Sequence, residues 1–382
     1  MDDNQKMNQD EKVSFFRRRW NQWKNFQTWK KVVVSIACVL LIVLVSGGAL
    51  IWAKFSHLNY QKLSKEDVKT QDEEFDTDED TSGLEQMDPN EIYWMKKSDS
   101  ITKVDGVVNI LLIGEENKDS DERGRTDAIM IATINTNDNS LKLTSILRDT
   151  YVQIPGYRDN RINSAYRTGD YPLLMETIEE NFNIACDAYV KVDYDGFEGI
   201  IDELGGVEIT LTEQEARYLN TTNYISKKSN RNVVAGTQLL NGNQALGFSR
   251  IRYIKTGDNQ IYDYGRTSRQ RTVLTAIFEK YKESSLADLV GLMDDVLDLV
   301  TTDLTMTDLM SYAVTILSMD IDELQTLRIP VDNSFSEANI RDMAVLVPDL
   351  QMNIDALHSF IFGSSYVGSN TSISTGSAIT AH

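Results

Sequence analysis

The longest uninterrupted apolar run in the chain is Val32 to Ala53, VVVSIACVLLIVLVSGGALIWA, 22 residues without a charge. As a helix it measures about 33 Å at roughly 1.5 Å per residue, enough to cross a hydrocarbon core. A secretory signal peptide is the alternative, but its apolar region is shorter and usually ends in a small-residue cleavage site. An uncleaved signal-anchor is the preferred reading. Beyond it, apolar positions fall into short blocks. Val107 to Ile113 (VVNILLI) reads as a buried strand ending at Gly114. Ala128 to Ile134 and Leu141 to Leu147 are β-rich runs joined by the polar residues 135–140, which predicts a hairpin. Ala188 to Val192, Val207 to Leu211 and Leu324 to Ile329 read as further strands. Helical periodicity predicts helices over Tyr171 to Phe182, Phe197 to Leu204, Thr267 to Lys282, Leu286 to Val300 and Met306 to Met319. Gly205-Gly206 supplies the stop after the second of these. Strands and helices alternate with hairpins among them, so the expected class is α/β, a mixed α+β sheet flanked by helices.

Charge sets the orientation. Residues 1–31 carry eight Lys and Arg, including Arg17-Arg18-Arg19, against four acids. Positive flanks stay in the cytoplasm, so residues 1–31 form a cytoplasmic basic tail and 32–53 a single-pass transmembrane helix. The remainder is expected outside the cell membrane, as a single extracellular domain. The whole chain has net charge −20, which argues against a general nucleic-acid binder. From Asp72 to Glu91 there are ten acids and no base. Residues 54–103 therefore read as an acidic, self-repelling stalk, 104–362 as the folded domain, and the Ser/Thr/Gly-rich 363–382 as a disordered tail.

The side-chain inventory narrows the chemistry. Two cysteines, Cys38 and Cys186, cannot make a disulfide framework, and three histidines offer no metal-ligand spacing. An exported domain without disulfides suits the outer face of a Gram-positive membrane. Chemistry must run on carboxylates, Arg, Lys, Gln and hydroxyls. These crowd at element ends: Glu115-Glu116 and Lys118, Arg125-Thr126-Asp127, Arg148-Asp149-Thr150, Arg161-Ile162-Asn163, Arg250-Ile251-Arg252, and Asp263 through Arg271. Arg250 and Arg252, two apart, would share a face in a strand. Arg266, Arg269 and Gln270 would share a face at a helix start. Arg forks bind phosphate bidentately, and carboxylates among them can hold a divalent metal that in turn holds phosphate oxygens. Composition leaves two readings open, a pyrophosphate-plus-metal site and plain ion pairs at element ends.

The order of these motifs resembles the LytR–CpsA–Psr family. Carrying the resemblance are Asn109 to Gly114, Gly124-Arg125-Thr126-Asp127, Leu143 to Thr150, Arg161 to Tyr166, Gly196-Phe197 with Leu204 to Val207, Leu240 to Leu246, Arg250-Ile251-Arg252, and Asp263 to Gln270. It spans roughly residues 105–282 and extends weakly to about 331. Family members are membrane-anchored phosphotransferases of Gram-positive cell walls. They move a glycopolymer from a polyprenyl-pyrophosphate carrier to peptidoglycan through a phosphodiester, using Mg²⁺ or a similar ion such as Mn²⁺ and a hydrophobic tunnel for the polyprenyl tail.

The resemblance implies catalytic roles for Arg125, Asp127, Arg148, Arg250 and Arg252. It implies substrate binding by Lys118, Arg266, Arg269 and Gln270, and metal binding by Asp127 and Glu116. Three departures stand out: Gly114-Glu115-Glu116 where the family has Gly-x-Asp, Lys118 for an Arg, and Leu147 for a Pro. Glu116 is one methylene longer than Asp, and Lys118 lacks the bidentate fork. Those departures motivate two rival readings, a non-catalytic or regulatory binder of lipid-linked pyrophosphate and a polyprenyl-pyrophosphate hydrolase.

Overall fold

The computed structural model describes residues 58–68, 80–95, 100–116, 123–124, 126–282 and 284–363. The apolar run 32–53, both termini, Lys118 and Arg125 lie outside the described residues. Among the described residues no helix is long and apolar enough to cross a membrane.

A seven-stranded mixed sheet forms the centre. In chain order its strands are β1 (Asn59–Tyr60), β3 (Val107–Glu115), β4 (Thr126–Asn135), β5 (Ser140–Ile146), β8 (Ala188–Asp193), β11 (Thr301–Thr302) and β12 (Leu324–Ile329). Their spatial order is β1-β11-β8-β3-β4-β5-β12. β3, β4 and β5 form the antiparallel meander the hairpin pattern predicts, while β8 and β12 join it in parallel. Alternation along β3 divides the core. Leu111 and Ile113 face one side, where α1 (Ile162–Phe182) and a C-terminal helix, Leu350–Phe362, pack on them. Ile110 and Leu112 face the other side, beneath Leu304, Leu309 and Ile316.

A second layer of the domain has its own core. Here α2 (Tyr194–Glu203), α3 (Glu213–Thr221), α4 (Gly242–Ser249) and the long α5 (Tyr262–Tyr281) pack around the hairpin of β9 (Val207–Leu211) and β10 (Gly236–Leu240). α6 (Leu286–Val296) and α7 (Met306–Ser318) follow α5, and α8 is the helix Leu350–Phe362. The strand positions match the apolar blocks closely. The predicted helix at Tyr171 is a restart: α1 begins at Ile162 and breaks at Gly169 and Asp170, the latter at φ 56°. Pro172 sits in the first turn beyond the break, where its missing N–H costs nothing.

Two expectations are corrected. The folded unit begins at Leu58, not near residue 104. β1 pairs with β11, β2 (Glu85–Gln86) adds to a small sheet with β13 (Phe335–Ile340) and β14 (Met343–Pro348), and β6 (Tyr151–Val152) pairs with β7 (Asn160–Arg161). Met87, Ile92 and Trp94 pack on that sheet's core, with the Trp94 ring stacked 6.1 Å from Tyr151. Isolated apolar residues dock this segment, so its overall acidity misleads. The Arg250 to Arg252 segment is not a strand. α4 is opened by an Asn241 capping box and runs to Ser249, so Arg250 is its C-cap and Arg252 lies in the following loop.

Candidate active site

A bulge aims the central carboxylate. Gly114 pairs with Ala128 and Glu115 with Thr126, leaving Asp127 as the extra residue of β4. Strand alternation alone would turn it away from Ala128 and Met130; the bulge puts all three on one cavity wall. Asp127 Oδ1 accepts from Arg266 Nη1 at 3.0 Å and Arg148 Nη1 at 3.2 Å, and Oδ2 accepts from the Tyr194 hydroxyl at 2.6 Å. Burial opposes its ionisation, but Arg266, Arg148 and the Tyr194 hydrogen bond together outweigh it and hold the carboxyl below its ordinary pKa. Gln270 Nε2 lies 3.4 Å from the Asp127 carbonyl oxygen.

A second carboxylate gathers the same arginines. Asp263, in the first turn of α5, meets Arg266 at 2.7 Å, Arg252 at 3.2 Å and Arg148 at 3.5 Å. Burial again works against ionisation, yet Arg266, a hydrogen bond from Asp149, Arg148 and Arg252 drive its pKa down. Asp149 behaves oppositely. Burial and the nearby Asp263 charge push it up to about 7 despite Arg148 and Arg161, the latter at 2.9 Å. The pair therefore keeps a proton on Asp149 and the negative charge on Asp263. Arg250 lies over the Tyr194 ring, 4.5 Å from its centroid.

Four guanidinium groups thus stand against two firmly ionised carboxylates, and Arg266 Nε is buried with no acceptor. This excess of donors and positive charge is a grip for an anion. It opens on a cavity of about 220 Å³ whose walls are apolar, including Leu112, Met130, Val190, Phe197 and Leu274. Leu112, Val190 and Leu274 also line a larger apolar cavity of about 660 Å³ that runs under α6 and α7.

The structure brings together Asp127, Arg148, Arg250, Arg252, Arg266 and Gln270. Glu116 follows β3, close enough to Tyr194 for its charge to raise that phenol, after the larger effects of burial and Asp127. Arg269 is not part of the group. One residue before Gln270 and three after Arg266, it is fully buried and spends its donors elsewhere, on Glu215 at 2.8 Å and the carbonyls of Ile251 and Ile254. Arg266 and Gln270, four apart, share a face; Arg269, three from Arg266, is their neighbour by spacing, but Glu215 draws its fork away from the group. Asp263 and Asp149 stand inside motifs whose arginines were singled out, yet sequence reasoning gave them no role. Tyr194 had no signal beyond its place at the start of a helix after a strand.

Among the described residues no three His, Cys, Asp or Glu side chains converge as a metal cage. Mg²⁺ rarely needs one, since it commonly binds through one or two carboxylates with water and substrate phosphates. Asp127 suits that use: its Oδ2 meets only a neutral hydroxyl.

A mixed sheet with an arginine grip at the mouth of an apolar cavity defines a class of protein built for an amphiphilic anion. The chain matches the LytR_cpsA_psr family over residues 59–358 and belongs to it. It is 30% identical over 255 residues to the polyisoprenyl-teichoic acid–peptidoglycan teichoic acid transferase TagU of Bacillus cereus, covering 66% of this chain and 71% of that protein. It is 29% identical over 261 residues to the regulatory protein MsrR of Staphylococcus aureus, covering 68% and 76%. Its fold is similar to that of Bacillus subtilis TagT with bound octaprenyl pyrophosphate lipid, with a TM-score of 0.50 at 24% identity, covering 68% of this chain and 91% of that one.

Proposed function

We propose that this protein is a phosphotransferase that moves a glycopolymer from a polyprenyl-pyrophosphate carrier to a peptidoglycan hydroxyl, leaving a phosphodiester. One observation carries the reading: the arginine-rich cluster sits at the mouth of an apolar cavity, so a single ligand with a charged head and an isoprenoid tail satisfies both. The TagU name and the lipid bound to TagT support the same substrate class.

In the reaction a sugar hydroxyl oxygen attacks the glycan-linked phosphorus, the P–O bond to the carrier phosphate breaks, and the hydroxyl proton passes to solvent or a carboxylate. Charge grows on the bridging and non-bridging oxygens. Arg148, Arg250, Arg252 and Arg266 neutralise it in a site fixed before substrate arrives, which needs no covalent enzyme intermediate. Asp127, with its lowered pKa, is a poor base; it acts as a fixed charge that orients Arg148 and Arg266. Tyr194 joins that carboxylate to Arg250 through hydroxyl and ring. Asp127 and Glu116 are the residues that would hold Mg²⁺ or Mn²⁺, and the ion would supply added charge neutralisation at the phosphates.

The basic N-terminal tail and the apolar run 32–53 support a single-pass anchor in the cell membrane, with the domain outside. Incubating the full chain in detergent with a synthetic lipid-linked saccharide, Mg²⁺ and peptidoglycan tests the reading. Glycan joined to peptidoglycan supports transfer. Release to water alone identifies a hydrolase, and binding without turnover a regulatory binder.

A further inference from the structure

A second group of arginines lies outside the catalytic cluster. Tyr264 and Arg271 are seven apart on α5 and so share one face, turned toward β5 and β12. Arg328 of β12 places its guanidinium 4.7 Å over the Tyr264 ring. Arg271 makes no hydrogen bond or ion pair among the described residues, and its Nη1 is buried without an acceptor. Burial and the neighbouring Arg328 charge push its pKa down to about 10, with Asp258 the one acid that counters them. Ser145 pairs in register with Arg328, so their side chains stand on the same sheet face. Ser145 is fully buried, and its Oγ has no hydrogen-bond partner. Arg328 is paired with Asp332, whose side chain is 85% exposed. Glu337, Asp332 and Asp263 are the acids whose charges reach Tyr264, Glu337 most strongly.

A buried guanidinium without a counter-ion, beside a second one, is unfavourable unless something negative joins them. The unpartnered Ser145 hydroxyl, on the same sheet face as Arg328, has a donor to spare for such a group. We infer that Arg271, Arg328 and Ser145 form a second oxyanion subsite, separate from the pyrophosphate grip, that holds a phosphate or carboxylate carried along the glycopolymer. The inference rests on the transferase reading for the identity of its ligand. Its location fits that ligand. Ser145 is the cross-strand neighbour of Met130, which lines the catalytic cavity, so the subsite lies one strand outward on the same sheet face. An extended polyanion held by its pyrophosphate in the arginine grip would meet this subsite with a later charged unit. The subsite would thus favour anionic polymers over neutral ones.

The test uses the full chain in detergent, with Arg271→Gln and Arg328→Gln as variants. Two lipid-linked donors are compared, one with a neutral glycan and one with a phosphodiester in the glycan. The expected result is a KM raised about tenfold for the phosphodiester donor in each variant, as for loss of a charge-assisted hydrogen bond, with kcat and the neutral donor unchanged. An equal change for both donors, or none, overturns the inference. Thermal unfolding in inorganic phosphate gives a readout independent of turnover. Wild type should gain more from phosphate than Arg271→Gln, and Arg271→Gln should melt higher than wild type without phosphate, because an uncompensated buried charge has been removed. Equal gains from phosphate overturn the site itself. A phosphate effect confined to wild type, without donor discrimination, marks a site for free anion only and overturns the glycopolymer assignment. Absence of transfer with any donor in wild type would sink the transferase reading instead, and the phosphate comparison would still decide the site.

Discussion

Two neighbouring buried ion clusters share α5 and use the same side chains differently. In one, Arg269 meets Glu215 and two backbone carbonyls, so its donors are spent inside a sealed core. In the other, Arg148, Arg252 and Arg266 share Asp127 and Asp263 at 2.7–3.5 Å, with Arg250 stacked nearby on Tyr194. The first cluster is balanced and closed. The second carries surplus positive charge and opens on an apolar cavity. A motif of closely spaced arginines therefore mixes two roles, and only the balance of donors against acceptors separates them. A saturated fork holds the fold, while an unsaturated one waits for a ligand.

The comparison breaks most sharply at its closed side. Glu215→Ala should lower stability by about 3–5 kcal/mol, because Arg269 is left buried without its counter-charge; urea unfolding measures it. A loss below about 1 kcal/mol, the worth of an exposed pair, would mean Arg269 is not sealed. On the open side, Asp127→Ala should reduce transfer on the order of 10²–10³, and it should cost less stability than Glu215→Ala because Asp263 still faces Arg148 and Arg266. Glu116→Ala should cost less, since its longer side chain must lose more freedom to hold an ion. Equal losses, measured as rate against Mg²⁺ concentration, would mean Glu116 serves as well as Asp127.

Starting the chain near residue 100 removes Trp94 and β2 from a shared core, and should cost roughly 2–4 kcal/mol in unfolding experiments. Unchanged stability would return that segment to the status of a linker. Tyr194→Phe keeps the ring under Arg250 but loses the hydroxyl on Asp127. We expect kcat to fall about tenfold with the lipid KM unchanged, and a change in KM alone would contradict that role. The smallest effect is pH-dependent. Asp149 has its pKa raised to about 7 from the usual carboxylate value near 4, so the folded state binds a proton the unfolded state has lost in between. That contribution is full below pH 4 and disappears as pH rises to 7. Asp149→Asn should flatten this decline in stability, and an unaltered profile would show that Asp149 does not hold the proton.

Much of the sheet was legible because strand periodicity and hairpin chemistry are local. The apolar blocks at Val107, Ala128, Leu141, Ala188, Val207 and Leu324 all became strands. The arginines of the site were legible as types, since an acidic chain that gathers them at element ends needs a reason. Three features were not legible. The bulge that aims Asp127 depends on register between β3 and β4, which no single strand encodes. The separation of Arg269 from Arg266 and Gln270 depends on what packs around α5. The docking of residues 58–68 and 80–95 rests on a few apolar side chains beside an acidic run, and composition averaged them away.

The central claim is that one ligand fills both the arginine grip and the apolar cavity. The most direct measurement is binding of polyprenyl pyrophosphates of increasing chain length to the full chain in detergent, beside inorganic pyrophosphate. The account predicts that affinity rises with each isoprene unit that enters the cavity and then levels off, and that Arg266→Gln weakens every member of the series by a similar factor. Affinity independent of tail length, or a tail-length effect that survives loss of the pyrophosphate head, would contradict it.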